Sequence, residues 1–290
     1  MTQRSGNEEQ AAYWSEAGGR SWVDFQSQMD RQLAPLGDAV LEALSPQTGE
    51  SILDVGCGCG ATTLDLAAAV GPLGRVVGLD ISTAMTSVAA ERLAAAGHRH
   101  ASAIVGDAQK TSETEVGGGF DAVYSRFGVM FFADPVAAFT NIRALTKSEA
   151  RLAFVCWQSP TLNGWMNSLG PILNSFFPAG PAPDPNAPGP FAFADPQRTA
   201  NLLTSAGWSD VVVEPCIRSM LKNGTTDFEE ALESSLRIGS TARALQGVDP
   251  VTAARFRDAA RAALSDEWTP DGVTVEGVCW LVTAENLAPV

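Results

Sequence analysis

The sequence is poor in basic residues, which bind polyanions, and in histidine, a frequent acid–base catalyst. Lysine and arginine total 19 against 33 acidic residues, the formal net charge is −14, and the basic residues form no run. Such a chain offers no surface that would neutralise many phosphates, so we do not expect nucleic acid as a partner. Only two residues are histidines. His98 and His100 both lie in a polar turn before a predicted strand, and we assign them no role.

The sequence also lacks an apolar run long enough to span a bilayer, and it has no basic start followed by an apolar segment. From these absences we predict a cytoplasmic protein without membrane insertion. The five cysteines are an odd number, which argues against a disulfide framework. Cys57 and Cys59 have no second Cys or His pair at metal-ligand spacing, so we expect no metal site.

From residue 51 onward, strand-like apolar segments alternate with helical ones. Strands are predicted at 51–55, 75–80, 101–106, 120–125, 151–157, 210–216 and 273–283. Helices are predicted at 62–70, 82–97, 135–145, 195–206, 227–238 and 250–264. Upstream, apolar residues at helical spacing between Trp22 and Leu36 predict an amphipathic helix. This order favours an α/β fold with a doubly wound parallel sheet and helices on both faces.

The most informative segment runs from Ile52 to Gly60, a predicted strand that ends in a turn of alternating glycines. Glycine has no Cβ, so the backbone of such a turn can approach a ligand closely and adopt positive φ. Two further acidic residues, Asp80 and Asp107, follow the next two predicted strands. Three strands therefore each carry a carboxylate at or near the end.

The glycine turn alone has two interpretations. Gly56, Gly58 and Ala61 satisfy the dinucleotide fingerprint, with Asp80 as the acid that would hold a ribose. Asp54, however, stands two residues before the first glycine, where it would repel a pyrophosphate and attract an ammonium group. S-adenosylmethionine combines an ammonium group with a ribose and an adenine. The series Asp-x-Gly-x-Gly-x-Gly, Gly-x-Asp and Gly-Asp-Ala resembles the class I S-adenosylmethionine-dependent methyltransferases.

The segment after the fourth predicted strand, Phe127 to Phe132, is similar to that of the ubiquinone- and menaquinone-biosynthesis type methyltransferases and their small-molecule relatives. The resemblance has strong motifs over about residues 50–160 and elsewhere rests on the order of elements. It implies a Rossmann-like, mostly parallel seven-stranded sheet with an antiparallel last strand and inserted cap helices. It also divides the chain into an N-terminal helical cap (1–45), an S-adenosylmethionine-binding core (46–160) and a remainder (161–290) with a Pro-rich loop and acceptor-cap helices.

The resemblance implies S-adenosylmethionine as cofactor and S-adenosylhomocysteine as product. The three glycines Gly56, Gly58 and Gly60 would approach the methionine and ribose parts, Asp54 would attract the ammonium group, and Asp80 would accept hydrogen bonds from the ribose hydroxyls. Capping of the following helices is the alternative role of both acids.

The other cofactor contacts implied by the resemblance come from three parts of the chain. Ile81 would pack on the adenine, while Asp107 and the Ala108 N–H would bind its edge. Ser125 and Arg126 would offer backbone carbonyls near the ammonium group, and Trp22 and Gln26, one helical turn apart, would cover the cofactor.

An acceptor pocket is expected where aromatic residues follow the fourth and fifth strands, with Phe127, Met130, Trp157 and Trp165 as candidates and core packing as the alternative. A sulfonium carries its own leaving group, so no strong catalytic base is required. Tyr124 and Arg126 are the nearest candidates for acid–base or electrostatic assistance; a core tyrosine and a surface arginine are the alternatives.

These observations predict methyl transfer from S-adenosylmethionine to an O, N or C atom of a small, aromatic or apolar metabolite, of the kind met in secondary metabolism. Two alternatives stay open: a nucleotide-dependent oxidoreductase that uses the same turn, and an S-adenosylmethionine-binding protein that catalyses a different reaction. The acceptor and the oligomeric state are not specified by the pattern.

Overall fold

A seven-stranded mixed sheet forms the centre of the computed structural model, which describes residues 6–178 and 184–287. Within those residues the strands are β1 (Ser51–Val55), β2 (Arg75–Asp80), β3 (Ala101–Val105), β4 (Phe120–Arg126), β5 (Thr146–Trp157), β6 (Ser209–Leu221) and β7 (Thr274–Asn286). Their spatial order is β3-β2-β1-β4-β5-β7-β6. Strands β1 to β5 pair in parallel, and β7 runs antiparallel to both β5 and β6. The predicted fold is confirmed.

Helices cover the sheet and extend beyond it. In the described residues they are α1 (Gly6–Ser15), α2 (Ala17–Asp24), α3 (Gln26–Leu44), α4 (Ala61–Val70), α5 (Thr83–Ala95), α6 (Glu113–Val116), α7 (Pro135–Ala144), α8 (Gly170–Phe176), α9 (Pro196–Ser205), α10 (Phe228–Arg237), α11 (Gly239–Ala244) and α12 (Pro250–Glu267). The six helices predicted downstream of residue 51 are all present, with ends shifted by a few residues. The short helices α6, α8 and α11 were not predicted, because segments of this length carry too few turns to show a periodicity.

The carboxyl ends of the parallel strands lie at one edge of the sheet, and the candidate functional residues lie at or after those ends. Central strands such as β1 and β2 are buried along nearly their whole length, as expected for parallel strands covered on both faces. Because β7 is antiparallel to both β5 and β6, strand β6 runs in the same direction as β1 to β5. The chain that follows β6, which leads into α10 to α12, therefore begins at the same carboxyl edge as the glycine turn after β1.

The N-terminal helical prediction is confirmed with one difference. The segment forms α2 and α3 rather than one helix, with a break at Phe25, whose φ of −107° and ψ of 19° leave the helical region. Helix α3 packs across β4, β5 and β6 through a buried apolar face that includes Leu33, Leu36 and Val40. This face anchors α3 beside the edge of the sheet where the strands end.

The inserted helices have a small core of their own. Leu169, Leu232, Leu236, Phe256, Ala260 and Leu264 are buried together. This cluster joins α10 and α12 to the start of α8, so the inserted segment is a packed layer rather than an extended loop.

The Pro-rich segment is described in part, because residues 179–183 lie outside the described residues. In the described remainder, the Gly189 N–H donates to the Met130 carbonyl (3.1 Å), which ties this segment to the chain after β4. Each helix in the described part of the chain is too short or too polar to cross a membrane.

Candidate active site

A large cavity of about 900 Å³ lies at the carboxyl edge of the sheet. Its walls come from the N-terminal helices, the glycine turn after β1, the ends of β2, β3 and β4, and the inserted helices. The lining includes twelve of the predicted cofactor and acceptor residues: Trp22, Gly56, Gly58, Asp80, Ile81, Asp107, Ala108, Arg126, Phe127, Met130, Trp157 and Trp165. Residues far apart in the sequence are thus brought together in one continuous space.

The glycine turn has positive φ at all three glycines, 70° at Gly56, 53° at Gly58 and 80° at Gly60. A Cβ on Gly56 would lie 2.5 Å from the Cα of Gly128, so the close approach of two backbone segments excludes a side chain there. A Cβ on Gly58 would meet nothing closer than 3.9 Å, and this glycine faces the cavity. Gly60 lies outside the lining and is packed against Ala89 of α5.

Asp80 connects the end of β2 to the glycine turn. Its Oδ2 accepts a hydrogen bond from the Gly58 N–H (2.9 Å) and its Oδ1 from the Ser82 N–H (2.9 Å). Burial raises the pKa of Asp80, and these backbone donors oppose the rise. The Ser82 side chain, not Asp80, caps α5 by accepting from the Met85 N–H. The carboxylate therefore keeps lone pairs directed at the cavity that it lines.

Asp54 lies behind the cavity wall and is not part of its lining. Its Oδ2 accepts from the hydroxyls of Thr62 and Thr63, each at 2.7 Å, whereas Oδ1 has no hydrogen-bond partner in the described residues. Complete burial raises the pKa of Asp54 to about 6, although both threonine hydrogen bonds and the charge of Arg126 lower it. Asp54 does not cap the backbone N–H groups of α4. Its carboxylate instead binds the threonine side chains of the first turn of that helix.

At the far end of the cavity, the residues predicted to hold an adenine lie side by side. Asp107 Oδ1 accepts from the Gln109 N–H (3.0 Å), and its Oδ2 is 3.9 Å from the Lys110 Nζ. The carbonyl of Ala108 accepts from the Asn141 side chain (2.9 Å), while its N–H has no acceptor in the described part of the protein. A purine edge can pair with such a combination of one acceptor and one donor.

Besides Asp54 and Gly60, three predicted residues do not line the cavity. Gln26 donates its side-chain amide to Asp30, and the Ser125 hydroxyl donates to the Val55 carbonyl (2.7 Å). Tyr124 is buried, its hydroxyl donates to the Gly37 carbonyl (3.1 Å), and burial raises its pKa well above the usual range. The geometry therefore gives no support to a direct catalytic role for Tyr124. Arg126 does line the cavity, 3.8 Å from Asp30.

The predicted acceptor residues form an aromatic wall. The ring of Phe127 stacks on Trp157 with centroids 4.2 Å apart and planes inclined by 9°, and Trp165 meets Trp157 edge-on at 5.7 Å. Phe127 also has a φ of 64°, which is unusual for a bulky residue and marks a constrained backbone at the end of β4. These rings are partly or fully buried and also line the cavity, so they can contribute both to core packing and to ligand contact.

Several lining residues were not predicted. Trp14 packs edge-on against Phe131 (5.1 Å) and Trp22 (5.9 Å), and Gln32, Lys222 and Arg243 contribute polar groups. The helical spacing around Trp14 was visible in the sequence, but the polar residues follow β6 or lie on α3 with no motif to identify them. No group of three or more His, Cys, Asp or Glu side chains in the described residues is arranged to hold a metal ion.

Comparison with known proteins agrees with this geometry. Residues 52–149, which include β1 to β4 and the start of β5, match a family described as a methyltransferase domain. These residues contain the motifs by which the chain resembles the class I S-adenosylmethionine-dependent methyltransferases. Two similar curated proteins extend the match. Nocamycin O-methyltransferase of Saccharothrix syringae is 29% identical over 187 residues, which are 61% of this chain and 65% of that protein.

The methyltransferase domain also resembles demethylmenaquinone methyltransferase of Lactococcus lactis, with 31% identity over 122 residues, 42% of this chain and 48% of that protein. The chain thus spans less than two thirds of the length of either relative. Among solved structures, the Bacillus halodurans protein BH2331 superposes with a TM-score of 0.55 at 14% identity, covering 87% of this chain and 99% of that one. At that identity the likeness concerns the fold.

The residues around the glycine turn fit S-adenosylmethionine, the predicted cofactor. A nucleoside can approach the turn because Gly58 leaves open space above it. The buried Asp80 carboxylate retains acceptor capacity for hydroxyl groups, and the unpartnered Oδ1 of Asp54 leaves a buried negative charge behind the same wall at a pH above its pKa of about 6. These features suit a ligand with vicinal hydroxyls and a cationic group.

Proposed function

We propose that the protein transfers a methyl group from S-adenosylmethionine to an O, N or C atom of a small aromatic or apolar metabolite, releasing S-adenosylhomocysteine. The observation that carries the proposal is one continuous cavity with carboxylates at one end and stacked aromatic rings at the other. The names of the two relatives support a small-molecule acceptor. We place the enzyme in the cytoplasm and in secondary metabolism, as a proposal that rests on the composition and on the nocamycin relative.

The cofactor would be held along the carboxyl edge of the sheet. Asp80 would accept hydrogen bonds from ribose hydroxyls, Asp107 and the Ala108 N–H would bind the adenine edge, and Ile81 would pack on its face. Asp54 would stabilise the ammonium group from behind the wall, and Trp22 would cover the cofactor from α2. When bound, the sulfonium supplies an activated methyl group with its own leaving group.

The chain contributes position and exclusion of water rather than a strong base. The aromatic wall around Phe127 and Trp157 would hold a flat acceptor, and burial of these rings keeps the space dry. Arg126 is the one candidate from the sequence for electrostatic assistance that also lines the cavity. Its guanidinium would stabilise negative charge on an acceptor as the proton is lost.

A screen of small acceptors, read by release of S-adenosylhomocysteine, tests the proposed reaction. Turnover with at least one aromatic hydroxyl, amine or carbon acid is the expected result. Binding of the cofactor without turnover across a broad panel would favour a protein that uses the same cavity for another reaction.

The oxidoreductase alternative requires a different ligand on the same turn. In a thermal-shift assay, S-adenosylhomocysteine should raise the Tm and NADH should not, because a ligand raises the Tm only when it binds the folded state. Stabilisation by NADH alone would replace the methyltransferase proposal with the oxidoreductase one.

A further inference from the structure

The charged side chains of the cavity are separated by sign. Among its described lining residues, the carboxylates Asp30, Asp80 and Asp107 come from α3 and from the ends of β2 and β3. The cations Lys222, Arg237 and Arg243 come from the segment after β6, and only Arg126 lies beside the carboxylates. A protein with a net charge of −14 therefore draws three of the four cations in the described lining from the segment after β6.

Two polar side chains on that wall have unused hydrogen-bonding capacity. Gln32 is 5% exposed, lines the cavity, and its side-chain amide makes no hydrogen bond within the described residues. Lys222 is 4% exposed and its Nζ, which has three donor hydrogens, makes a single hydrogen bond, to Glu267. A ligand that enters the cavity and displaces water would leave these donors unpaired unless it supplies acceptors.

The ion pair does not cancel the charge of Lys222 inside the cavity. The Lys222 side chain is 5% exposed, whereas that of Glu267 is 42% exposed and is screened by solvent. Arg243 adds a second positive charge at this wall: its guanidinium lies 5.2 Å from the centre of the Tyr13 ring and forms no ion pair in the described part of the chain. The described lining residues that follow β6 therefore include three cations and no carboxylate.

The wall is held in place by hydrogen bonds that join α3, the turn that contains Lys222, and α10. Arg31 Nε donates to the Gly224 carbonyl (2.6 Å), and Gln28 donates to Glu230 (3.2 Å). Asn223, which has a φ of 60°, donates its side-chain amide to the hydroxyls of Ser234 (2.8 Å) and Ser235 (3.1 Å). A site built from fixed elements can orient a ligand, because little rearrangement is needed on binding.

We propose that Lys222 and Gln32 bind an ionised oxygen group, a carboxylate, phenolate or enolate, on the acceptor substrate. This inference rests on the proposed function and names the substrate class for the same cavity. The anionic group would lie on the wall of the inserted helices, while the aromatic part of the acceptor contacts Phe127 and Trp157. The end of the cavity that carries the carboxylates remains for the cationic cofactor. The charges of the lining would therefore place the cofactor and the acceptor at different ends.

The test uses matched probes that differ in charge but little in shape. Binding of 2-naphthoate and 2-naphthamide, and of benzoate and benzamide, is measured by calorimetry and ligand-observed NMR on the full chain saturated with S-adenosylhomocysteine. Each acid should bind at least about fivefold more tightly than its amide, since charge-assisted hydrogen bonds are the stronger ones. Lys222→Met should reduce this preference to less than about twofold, and Gln32→Leu should weaken the binding of both members of a pair.

Lys147→Met is the matched control, because Lys147 is also ion-paired, with Asp121 (2.5 Å), but lies outside the cavity lining. It should leave the acid preference unchanged. Equal binding of acid and amide, failure of both acids to bind, or an undiminished preference in Lys222→Met would overturn the inference. Titration of S-adenosylhomocysteine into ligand-free samples of the same proteins separates the two proposals, because an absence of binding to the unaltered protein would contradict the proposed function instead.

Discussion

The carboxylate of Asp80 accepts a hydrogen bond from the Gly58 N–H at 2.9 Å and so fixes the glycine turn to the end of β2. The same side chain lines the cavity with acceptor capacity left over. Two requirements of a nucleoside site, an open backbone and a charged acceptor, are therefore met by one contact between neighbouring strands.

Asp80→Asn should weaken the binding of S-adenosylhomocysteine by about 1.5–3 kcal/mol, because one charged acceptor is replaced by an amide that cannot serve all of the donors. Calorimetry measures the dissociation constant. Asp121→Asn is a suitable control: Asp121 also accepts from a backbone N–H, that of Ser51 (2.9 Å), but lies outside the lining. An unchanged dissociation constant in Asp80→Asn would place the ribose elsewhere.

The stability of the ligand-free protein should depend on the ionisation of Asp54. Burial raises its pKa from 3.8 to about 6, so the group favours folding most below pH 4 and loses that contribution as the pH rises through about 6. Asp54→Asn does not ionise, and at pH 8 it should be more stable than the unaltered protein by up to about 3 kcal/mol.

The same substitution should weaken S-adenosylhomocysteine binding at pH 8, where the missing charge would have faced the ammonium group. Denaturant unfolding at pH 4.5 and 8, with and without ligand, measures both effects. A stability difference that does not shrink toward low pH would contradict the assigned ionisation of Asp54.

Gly128→Ala should destabilise the protein by about 3 kcal/mol and abolish cofactor binding. The φ of Gly128 is −77°, which alanine adopts freely, so the cost is steric. An added Cβ would lie 2.6 Å from the Val55 carbonyl oxygen and 2.7 Å from Gly56 Cα. In Gly164→Ala, the control, the new Cβ meets nothing within 4 Å. Thermal unfolding compares the two, and equal Tm values would show that the backbone segments at Gly56 and Gly128 can separate without cost.

The sequence predicted the cofactor end of the cavity better than the acceptor end. Strand ends in a parallel sheet meet at one edge, so Asp80 and Asp107 could be placed together from the order of elements alone. Lys222 and Gln32 could not, because their approach depends on how α3 packs against the turn after β6, a contact between distant segments that leaves no local pattern. Asp54 was expected to attract the ammonium group; the structure puts its carboxylate outside the cavity lining, where the threonines of α4 hold it.

Tyr124→Phe should leave kcat within about twofold of the unaltered enzyme while lowering stability by about 1 kcal/mol. The hydroxyl is buried and donates to the Gly37 carbonyl (3.1 Å), and its loss leaves that acceptor without this donor. Because Tyr124 lies outside the cavity lining and its pKa is raised by burial, it is poorly suited to remove a proton from an acceptor. Initial rates with an acceptor found in the screen, together with denaturant unfolding, measure the two effects. A fall in kcat of more than tenfold in a variant that remains folded would restore Tyr124 as a catalytic candidate and would require the cavity to reshape around it on binding.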